Sequence, residues 1–295
     1  MHILIGVDGS QAAEVACEFV ANRTWPIGTR IELVGAISPV LIKRDRIAAR
    51  EVVRQALDDR GDSLRKAGLT VSTVIIDGDP AESLIERADD TFVDLIVVGN
   101  RGLGPVGSAV LGSVSAHLID HAPCPVLVAR SPIATRMLLA SDGAHSARRI
   151  PSILASWHPA FRGMPVEVVS VASSESFLTP WAPEGDTGSE SPGRDIAQHR
   201  QIAQYVADEL MDLGWHAAAI VAMGDPAREI LDASRDWHAD LIVTGSRGIG
   251  TIRRLVQGSV AHKVMMHTRS SVLVMRGQVP ARIPSEAVAI RPAFS

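Results

Sequence analysis

Two kinds of hydrophobic pattern alternate along the chain. Short runs that are apolar on both faces, such as DLIVVG from Asp94 and CPVLVA from Cys124, are typical of buried parallel strands. Longer amphipathic segments lie between them. In the first half the pattern predicts strands at His2–Val7, Ile31–Ile37, Val71–Ile76, Asp94–Val98 and Pro125–Ala129. It predicts helices at Ser10–Ala21, Lys43–Ala67, Pro80–Asp90 and Ser113–His121.

The same pattern occurs twice. GDPAESLIERADDTFVDLIVVGNRG from Gly78 matches GDPAREILDASRDWHADLIVTGSRG from Gly224 at an offset of 146 residues. ILIGVDGS from Ile3 matches MLLASDGA from Met137 at an offset of 134, and the extra residues of the second copy fall in a polar stretch at 172–195. Alternating strands and helices predict an α/β fold of two doubly wound, open, parallel five-stranded sheets in tandem. We expect domains at 1–132 and 136–276, and a loosely ordered tail at 277–295.

Composition narrows the class of protein. The net charge is −4 with acids and bases interspersed, which argues against nucleic acid or a membrane surface as the main partner. No apolar run reaches about 18 residues, and the first residues lack the features of a signal peptide, so we expect a cytoplasmic protein. Cys17 and Cys124 lie in apolar segments and are interpreted as small core residues.

A glycine-rich stretch follows the fourth strand of each half. GNRGLGPVGSAVLGSVS from Gly99 and GSRGIGTIRRLVQGSVA from Gly245 share the pattern G-x2-G-x9-G-S. In doubly wound sheets, ligands bind beyond the carboxyl ends of the strands. Glycine does not obstruct a ligand, and a helix N-terminus attracts phosphate. A flexible loop with a serine near the helix start would explain one copy, but two copies favour a polyphosphate cradle, with glycine required where the phosphates approach.

The other end of a nucleotide has a candidate partner at the end of the first strand. Asp8 in GVDGS could accept a hydrogen bond from a ribose hydroxyl or an exocyclic amine. The alternative is that Asp8 caps the following helix. Ser10 is an equally good cap, which favours a ligand role for Asp8.

These motifs resemble the universal stress protein family, in its nucleotide-binding branch. The resemblance covers residues 1–130 and 136–276 and implies a Rossmann-like fold of the adenine nucleotide alpha hydrolase type. It implies ATP as the ligand, with Mg²⁺ as an optional companion, and a homodimer with an unidentified protein partner. We also expect the two halves to pair through their fifth strands, CPVLVAR and SSVLVMR, because these edges need cover.

The family's site carries over onto both halves, in the second with less support. In the first half it implies ATP contacts at Asp8, Gly9, Ser10, Ala36, Gly99, Arg101, Gly102, Gly112, Ser113, Val114 and Ser115. In the second half it implies contacts at Asp142, Val171, Gly245, Arg247, Gly248, Gly258, Ser259 and Val260. Ala144 and Ala261 replace Ser10 and Ser115 there, so we expect weaker binding.

Catalytic motifs are missing from the sequence. It contains no P-loop, no H-E-x-x-H, no C-x-x-C and no G-x-S-x-G, and we assign no catalytic residue and no metal ligand. His117, His121, His262 and His267 are interpreted as core or helix-surface residues. The leading interpretation is therefore an ATP-binding stress or signalling regulator without efficient turnover. Two alternatives stay open: an ATPase or adenylate-transferring enzyme of the same fold, and a structural module that binds no ligand.

Overall fold

Alternating strands and helices run through the whole described chain. The computed structural model describes residues 1–40, 43–102, 111–143, 149–172, 192–245 and 260–276. The first half contains β1 (His2–Gly6), α1 (Gln11–Ala21), β2 (Arg30–Ile37), α2 (Lys43–Lys66), β3 (Thr70–Asp77), α3 (Pro80–Asp90), β4 (Leu95–Gly99), α4 (Ser113–His121) and β5 (Val126–Ala129). Every predicted element of this half is present, with ends shifted by at most one residue.

The second half repeats this order with one change. It contains β6 (Met137–Ala140), α5 (Ile150–Ser156), α6 (His158–Phe161), β7 (Val166–Ala172), α7 (Pro192–Asp212), β8 (Ala217–Met223), α8 (Pro226–Asp236), β9 (Leu241–Gly245), α9 (Val260–His267) and β10 (Ser271–Met275). Two short helices, α5 and α6, thus stand where the first half has α1 alone.

Each half forms the predicted parallel sheet, and the two halves join into one. The strand order is β3-β2-β1-β4-β5-β10-β9-β6-β7-β8. In the first half the chain moves outward from β1 to β3 and then returns to place β4 on the other side of β1. That reversal creates a crevice at the carboxyl ends of β1 and β4, where doubly wound sheets bind ligands.

The two halves meet through an antiparallel pair at the centre of the sheet. Leu127 of β5 lies opposite Leu273 of β10, with Val128 opposite Val272 on one side and Val126 opposite Val274 on the other. All of these side chains are buried. The predicted pairing through the fifth strands is therefore confirmed, and neither strand is left as an open sheet edge.

The core lies on both faces of this sheet, under the helices. Cys17 and Cys124 are part of it, as predicted, and burial raises the pKa of each thiol to about 12. None of the described helices combines the length and apolar character that a bilayer crossing requires. The tail predicted at 277–295, and all but the ends of the polar stretch at 172–195, lie outside the described residues.

Candidate functional site

A cavity of about 500 Å³ opens at the carboxyl ends of β1 and β4. Its wall is apolar on the side of β2, β4 and α3, and its floor is the glycine-rich turn and the start of α4. The lining residues are Gly6, Val7, Asp8, Ala13, Val34, Ala36, Pro80, Leu84, Val98, Gly99, Arg101, Gly102, Leu111, Gly112, Ser113, Val114 and Ser115. The structure therefore brings together nine of the eleven predicted positions of the first half, and Gly9 and Ser10 lie just outside.

Ser10, and not Asp8, caps the first helix. The Ser10 hydroxyl accepts a hydrogen bond from the Ala13 amide at 3.2 Å. Asp8 lies on the cavity wall, where its Oδ1 accepts from the Ser10 amide at 3.0 Å. The turn between them depends on Gly9, whose φ of +83° favours glycine. Asp8 thus braces the turn and still presents its carboxylate to the cavity.

Ala36 presents its backbone to the same cavity. The Val7 amide donates to the Val34 carbonyl at 2.9 Å, and β1 ends one residue earlier, at Gly6. Backbone groups along a strand alternate between its two neighbours, so the amide and carbonyl of Ala36 face the same side as those of Val34. β1 pairs with β2 only as far as Val34, so no residue of β1 lies opposite Ala36. The backbone of Ala36 therefore faces the crevice rather than a neighbouring strand.

Two glycines of the motif are required by contacts within the protein. A Cβ at Gly99 would lie 2.4 Å from the backbone of Ala12 in α1. A Cβ at Gly102 would lie 2.5 Å from Oδ2 of Asp8. Helix packing is therefore a sufficient reason for glycine at position 99, beside the phosphate approach that the sequence predicts there. At Gly102 the close neighbour is the predicted nucleotide carboxylate itself.

Gly112 joins the turn to the start of α4. Its amide donates to the Asn100 carbonyl at 2.9 Å, and its φ of −66° is an ordinary value for any residue. A Cβ there would lie 3.2 Å from Cα of Arg101 and 3.3 Å from the Asn100 oxygen, so the turn is closed tightly. Gly112 is also the N-cap of α4, and as a glycine it has no side chain with which to cap the helix. The first amides of α4 are therefore left for a ligand in the cavity.

The two serines of the motif have different surroundings. Ser115 is buried, and its hydroxyl donates to the Gly99 carbonyl at 2.9 Å. This bond ties the first turn of α4 to the end of β4, so Ser115 supports the turn instead of offering its proton to a phosphate. Ser113 is exposed at the first position of α4 and lines the cavity. Its hydroxyl is the one that a phosphate could reach.

Arg101 supplies positive charge at the cavity wall. Its carbonyl accepts from the Ser10 hydroxyl at 3.5 Å, which links the glycine turn to the start of α1. Burial lowers the pKa of Arg130 in the same half, and the nearby charge of Arg101 lowers that pKa further. Among the described residues that line the cavity, Asp8 is the one acid and Arg101 the one base.

The second half repeats part of this geometry. The Ser141 amide donates to the Val169 carbonyl at 3.0 Å, as Val7 does to Val34, so Val171 faces its crevice as Ala36 does. Gly143 has a φ of +72°, matching Gly9. Asp142 is exposed, Gly245 ends β9 and Val260 begins α9. The other predicted residues, Arg247, Gly248, Gly258 and Ser259, lie outside the described residues.

The histidines of α4 lie on the helix surface. Nε2 of His117 lies 2.7 Å from a carboxylate oxygen of Glu82 on α3, and the His117 ring packs at a tilt against His121 with centroids 4.4 Å apart. In the described ranges, no three His, Cys, Asp or Glu side chains are placed to hold a metal ion. His117 therefore joins α3 to α4.

Comparison with known proteins assigns the family. A sequence model described as the universal stress protein family matches residues 1–130 and again residues 135–276. The chain belongs to the universal stress protein family. Its tandem arrangement is shared by universal stress protein Rv2623 of Mycobacterium tuberculosis, which is 28% identical over 94% of this chain and 96% of its own length. A universal stress protein of Thermus aquaticus is 34% identical over 43% of this chain and 97% of its own length.

Solved structures agree with the fold. A universal stress protein of Archaeoglobus fulgidus has a TM-score of 0.69 at 18% identity, covering 93% of this chain and 98% of its own. A structure from Pseudomonas aeruginosa, described as a universal stress protein, has a TM-score of 0.60 at 19% identity, covering 93% and 92%. This universal stress protein therefore has the tandem Rossmann-like architecture of its family.

Sequence reasoning missed the apolar wall of the cavity. Val34, Leu84 and Leu111 are buried core residues that also line the cavity. Their hydrophobicity marks them only as core, because a core side chain and a pocket wall look alike in one sequence. The packing of β2, α3 and the residues before α4 around the carboxyl ends of β1 and β4 is what brings these side chains to the cavity.

Proposed function

We propose that this protein is an ATP-binding stress and signalling regulator, and that ATP occupies the cavity of the first half. The observation that carries the proposal is the cavity itself. Its volume of about 500 Å³ falls in the range of small-molecule sites, roughly 300–1,000 Å³. It joins an apolar wall at one end to an uncapped helix N-terminus at the other, as an adenine nucleotide requires.

The adenosine end fits the wall formed by β1, β2 and α3. Val34 and Leu84 provide apolar surface for the base, and the Ala36 backbone provides a donor and an acceptor toward its polar edge. Such a pair distinguishes adenine, which presents one donor and one acceptor side by side. Asp8 would accept from a ribose hydroxyl while keeping its bond to the Ser10 amide.

The phosphate end fits the start of α4. The amides of the first turn, the exposed hydroxyl of Ser113 and the positive charge of Arg101 are the donors on this side. The helix N-terminus carries partial positive charge, which favours phosphate oxygens. Asp8 is the one carboxylate among the described lining residues, so Mg²⁺ would be held mainly by the phosphates of ATP and would enter the cavity with them.

The proposal includes little or no turnover of ATP. Phosphoryl transfer needs a group that positions water or another nucleophile. The described lining offers Asp8 alone for that task, and Asp8 is held at the ribose end by the Ser10 amide. We therefore propose that nucleotide occupancy itself is the signal, read by a protein partner in the cytoplasm, with the whole chain forming a homodimer.

Native mass spectrometry tests the proposal on the purified full-length protein. The expected result is a mass increment that matches ATP or another adenine nucleotide, or its appearance on adding ATP. The matched control is Gly112→Val, which places a branched side chain against Arg101 and Asn100 at the start of α4. A folded protein that takes up no adenine nucleotide would refute the proposal.

A further inference from the structure

The carbonyl of Ile119, in the last turn of the helix that bears the proposed phosphate site, accepts a hydrogen bond from the other half of the chain. In α4 the carbonyl of Ile119 would accept from the amide four residues later, but that residue is Pro123, which has no N–H. The structure supplies a donor from elsewhere. Nη1 of Arg276 donates to this carbonyl. Arg276 belongs to the second half of the chain.

Arg276 is held in place by the central strand pair. It directly follows β10, which pairs with β5 at the junction of the two halves. Burial lowers the pKa of Arg276, and the charge of Asp120 opposes that change. A guanidinium stays charged under these conditions and carries several donors in a fixed plane. The second half therefore brings a cation to the C-terminal turn of α4.

The same contact occurs in the opposite direction. Arg130 follows β5 and its Nη2 donates to the carbonyl of Met265 in α9 at 2.6 Å. Arg130 and Arg276 are equivalent in the repeat, at the offset of 146 residues, and so are Ile119 and Met265. Each half thus holds the terminal helix of the other half by one arginine. Because this arginine-to-carbonyl contact occurs twice with equivalent residues, it follows from the way the two repeated halves pair.

We propose that Arg276 is a positioning residue for the nucleotide site of the first half, so that this site is complete only when the second half is docked. The inference rests on the proposed nucleotide binding. The helix α4 has nine residues. Ser115 fixes its first turn to β4, and Arg276 fixes its last turn. A cation at the helix C-terminus also opposes the negative end of the helix dipole, which favours an anion at the other end.

The test measures binding of a fluorescent N-methylanthraniloyl derivative of ATP to the full chain. The first site is identified as the binding phase that Gly112→Val removes. Arg276→Leu is expected to weaken that phase about threefold to tenfold, the size of a helix-terminus interaction. Arg276→Lys keeps a positive donor and is expected to restore most of the affinity. Thermal melts identify any loss of folding.

The matched control is Arg23→Leu, which removes a junction arginine that donates to the carbonyls of Ala160 and Ala134 rather than to α4. The first-site affinity of this variant is expected to stay near that of the unsubstituted protein. Equal weakening by Arg23→Leu and Arg276→Leu would overturn the inference, because it would indicate general damage at the junction. Unchanged first-site affinity in Arg276→Leu would overturn it as well, while leaving the proposed function intact.

Two further outcomes are decisive. If the unsubstituted chain binds no nucleotide, the proposed function is refuted, and this inference with it. If Arg276→Leu does not fold, Arg276→Gln replaces it, since glutamine keeps a neutral donor on a shorter side chain. Wild-type affinity in a folded Arg276→Gln would contradict the proposed role of the charge.

Discussion

Arg87 donates two hydrogen bonds to Glu32, from Nε at 3.1 Å and from Nη2 at 2.6 Å. Glu32 is 5% exposed, and Nε2 of His2 lies 3.4 Å from its other oxygen. In the second half the equivalent of Glu32 is Glu167, whereas the equivalent of Arg87 is Ala233. The two halves therefore share this carboxylate, but the second half has alanine in place of the arginine that neutralises it in the first.

Removal of the cation in the first half should destabilise the fold. Arg87→Ala leaves the buried Glu32 carboxylate with His2 alone, and we expect a loss of about 1–3 kcal/mol in the free energy of unfolding. Urea unfolding measures it. The control is Arg65→Ala, which breaks the exposed pair with Asp62 and should change the stability by less than about 0.5 kcal/mol. Equal effects of the two variants would contradict this account.

The carboxylate of the second half should behave in the opposite way. Burial raises the pKa of Glu167, and the charge of Asp236 raises it further. A raised folded-state pKa means that folding holds the proton, so this group costs stability as the pH rises from the unfolded pKa through the folded one. Glu167→Gln should therefore raise the melting temperature near pH 7 and change it little near pH 3.5, below the ordinary glutamate pKa of about 4.3.

The gain in melting temperature of Glu167→Gln should increase steadily as the pH rises. Differential scanning calorimetry between about pH 3.5 and pH 7 gives the difference in melting temperature at each pH. A difference that grows on acidification would contradict the assigned cause. Glu32→Gln is the matched comparison, because it removes the negative charge that pairs with Arg87 and should destabilise the protein at neutral pH.

The junction of the halves should be essential to folding. Leu127 and Leu273 face each other in the antiparallel pair and are 0% and 1% exposed. Leu127→Asp places an unpaired carboxylate there, and we expect a loss of more than about 3 kcal/mol.

The first half on its own should associate with itself. Residues 1–132 expressed alone would expose β5 as a sheet edge, which favours pairing with a second copy. A well-folded monomer of this fragment at high concentration, seen by light scattering, would contradict the prediction.

The second nucleotide site should be weaker than the first. Ala261 cannot make the bond by which Ser115 ties α4 to the Gly99 carbonyl, so the start of α9 lacks this support. Ser115→Ala should weaken the first site by severalfold, as loss of about 1 kcal/mol implies. Ala261→Ser should strengthen binding in the second half. Two sites of equal affinity in the unsubstituted protein would refute this ranking.

The hydrophobic periodicity of the sequence predicted most of the fold, because burial in the core determines which positions are apolar. Strands such as β4 and β5 are buried on both faces and could be recognised by composition alone. The repeat, the cap at Ser10 and the pairing of β5 with β10 also followed from the sequence. The division of the helix after β6 into α5 and α6 did not, because the pattern was extended from the first half.

The site was predicted less completely than the fold. Glycine in a motif has several physical causes, and only the packed structure identifies Ala12 as the neighbour that requires Gly99. Ser115 was expected to face phosphate, yet it donates to a carbonyl inside the protein. The role of Arg276 depends on a contact between residues 157 positions apart, which no local pattern reveals.

Isothermal titration of the full-length protein with ATP tests the central claim most directly. The unsubstituted chain should give saturable binding with one dominant site. Asp8→Asn removes the one carboxylate charge among the described residues that line the cavity, and Gly112→Val blocks the start of α4 on the same cavity. Both variants, shown by circular dichroism to be folded, should lose at least about tenfold in affinity, as loss of a charged hydrogen bond implies. Wild-type affinity in both would contradict the assignment of this cavity as the nucleotide site.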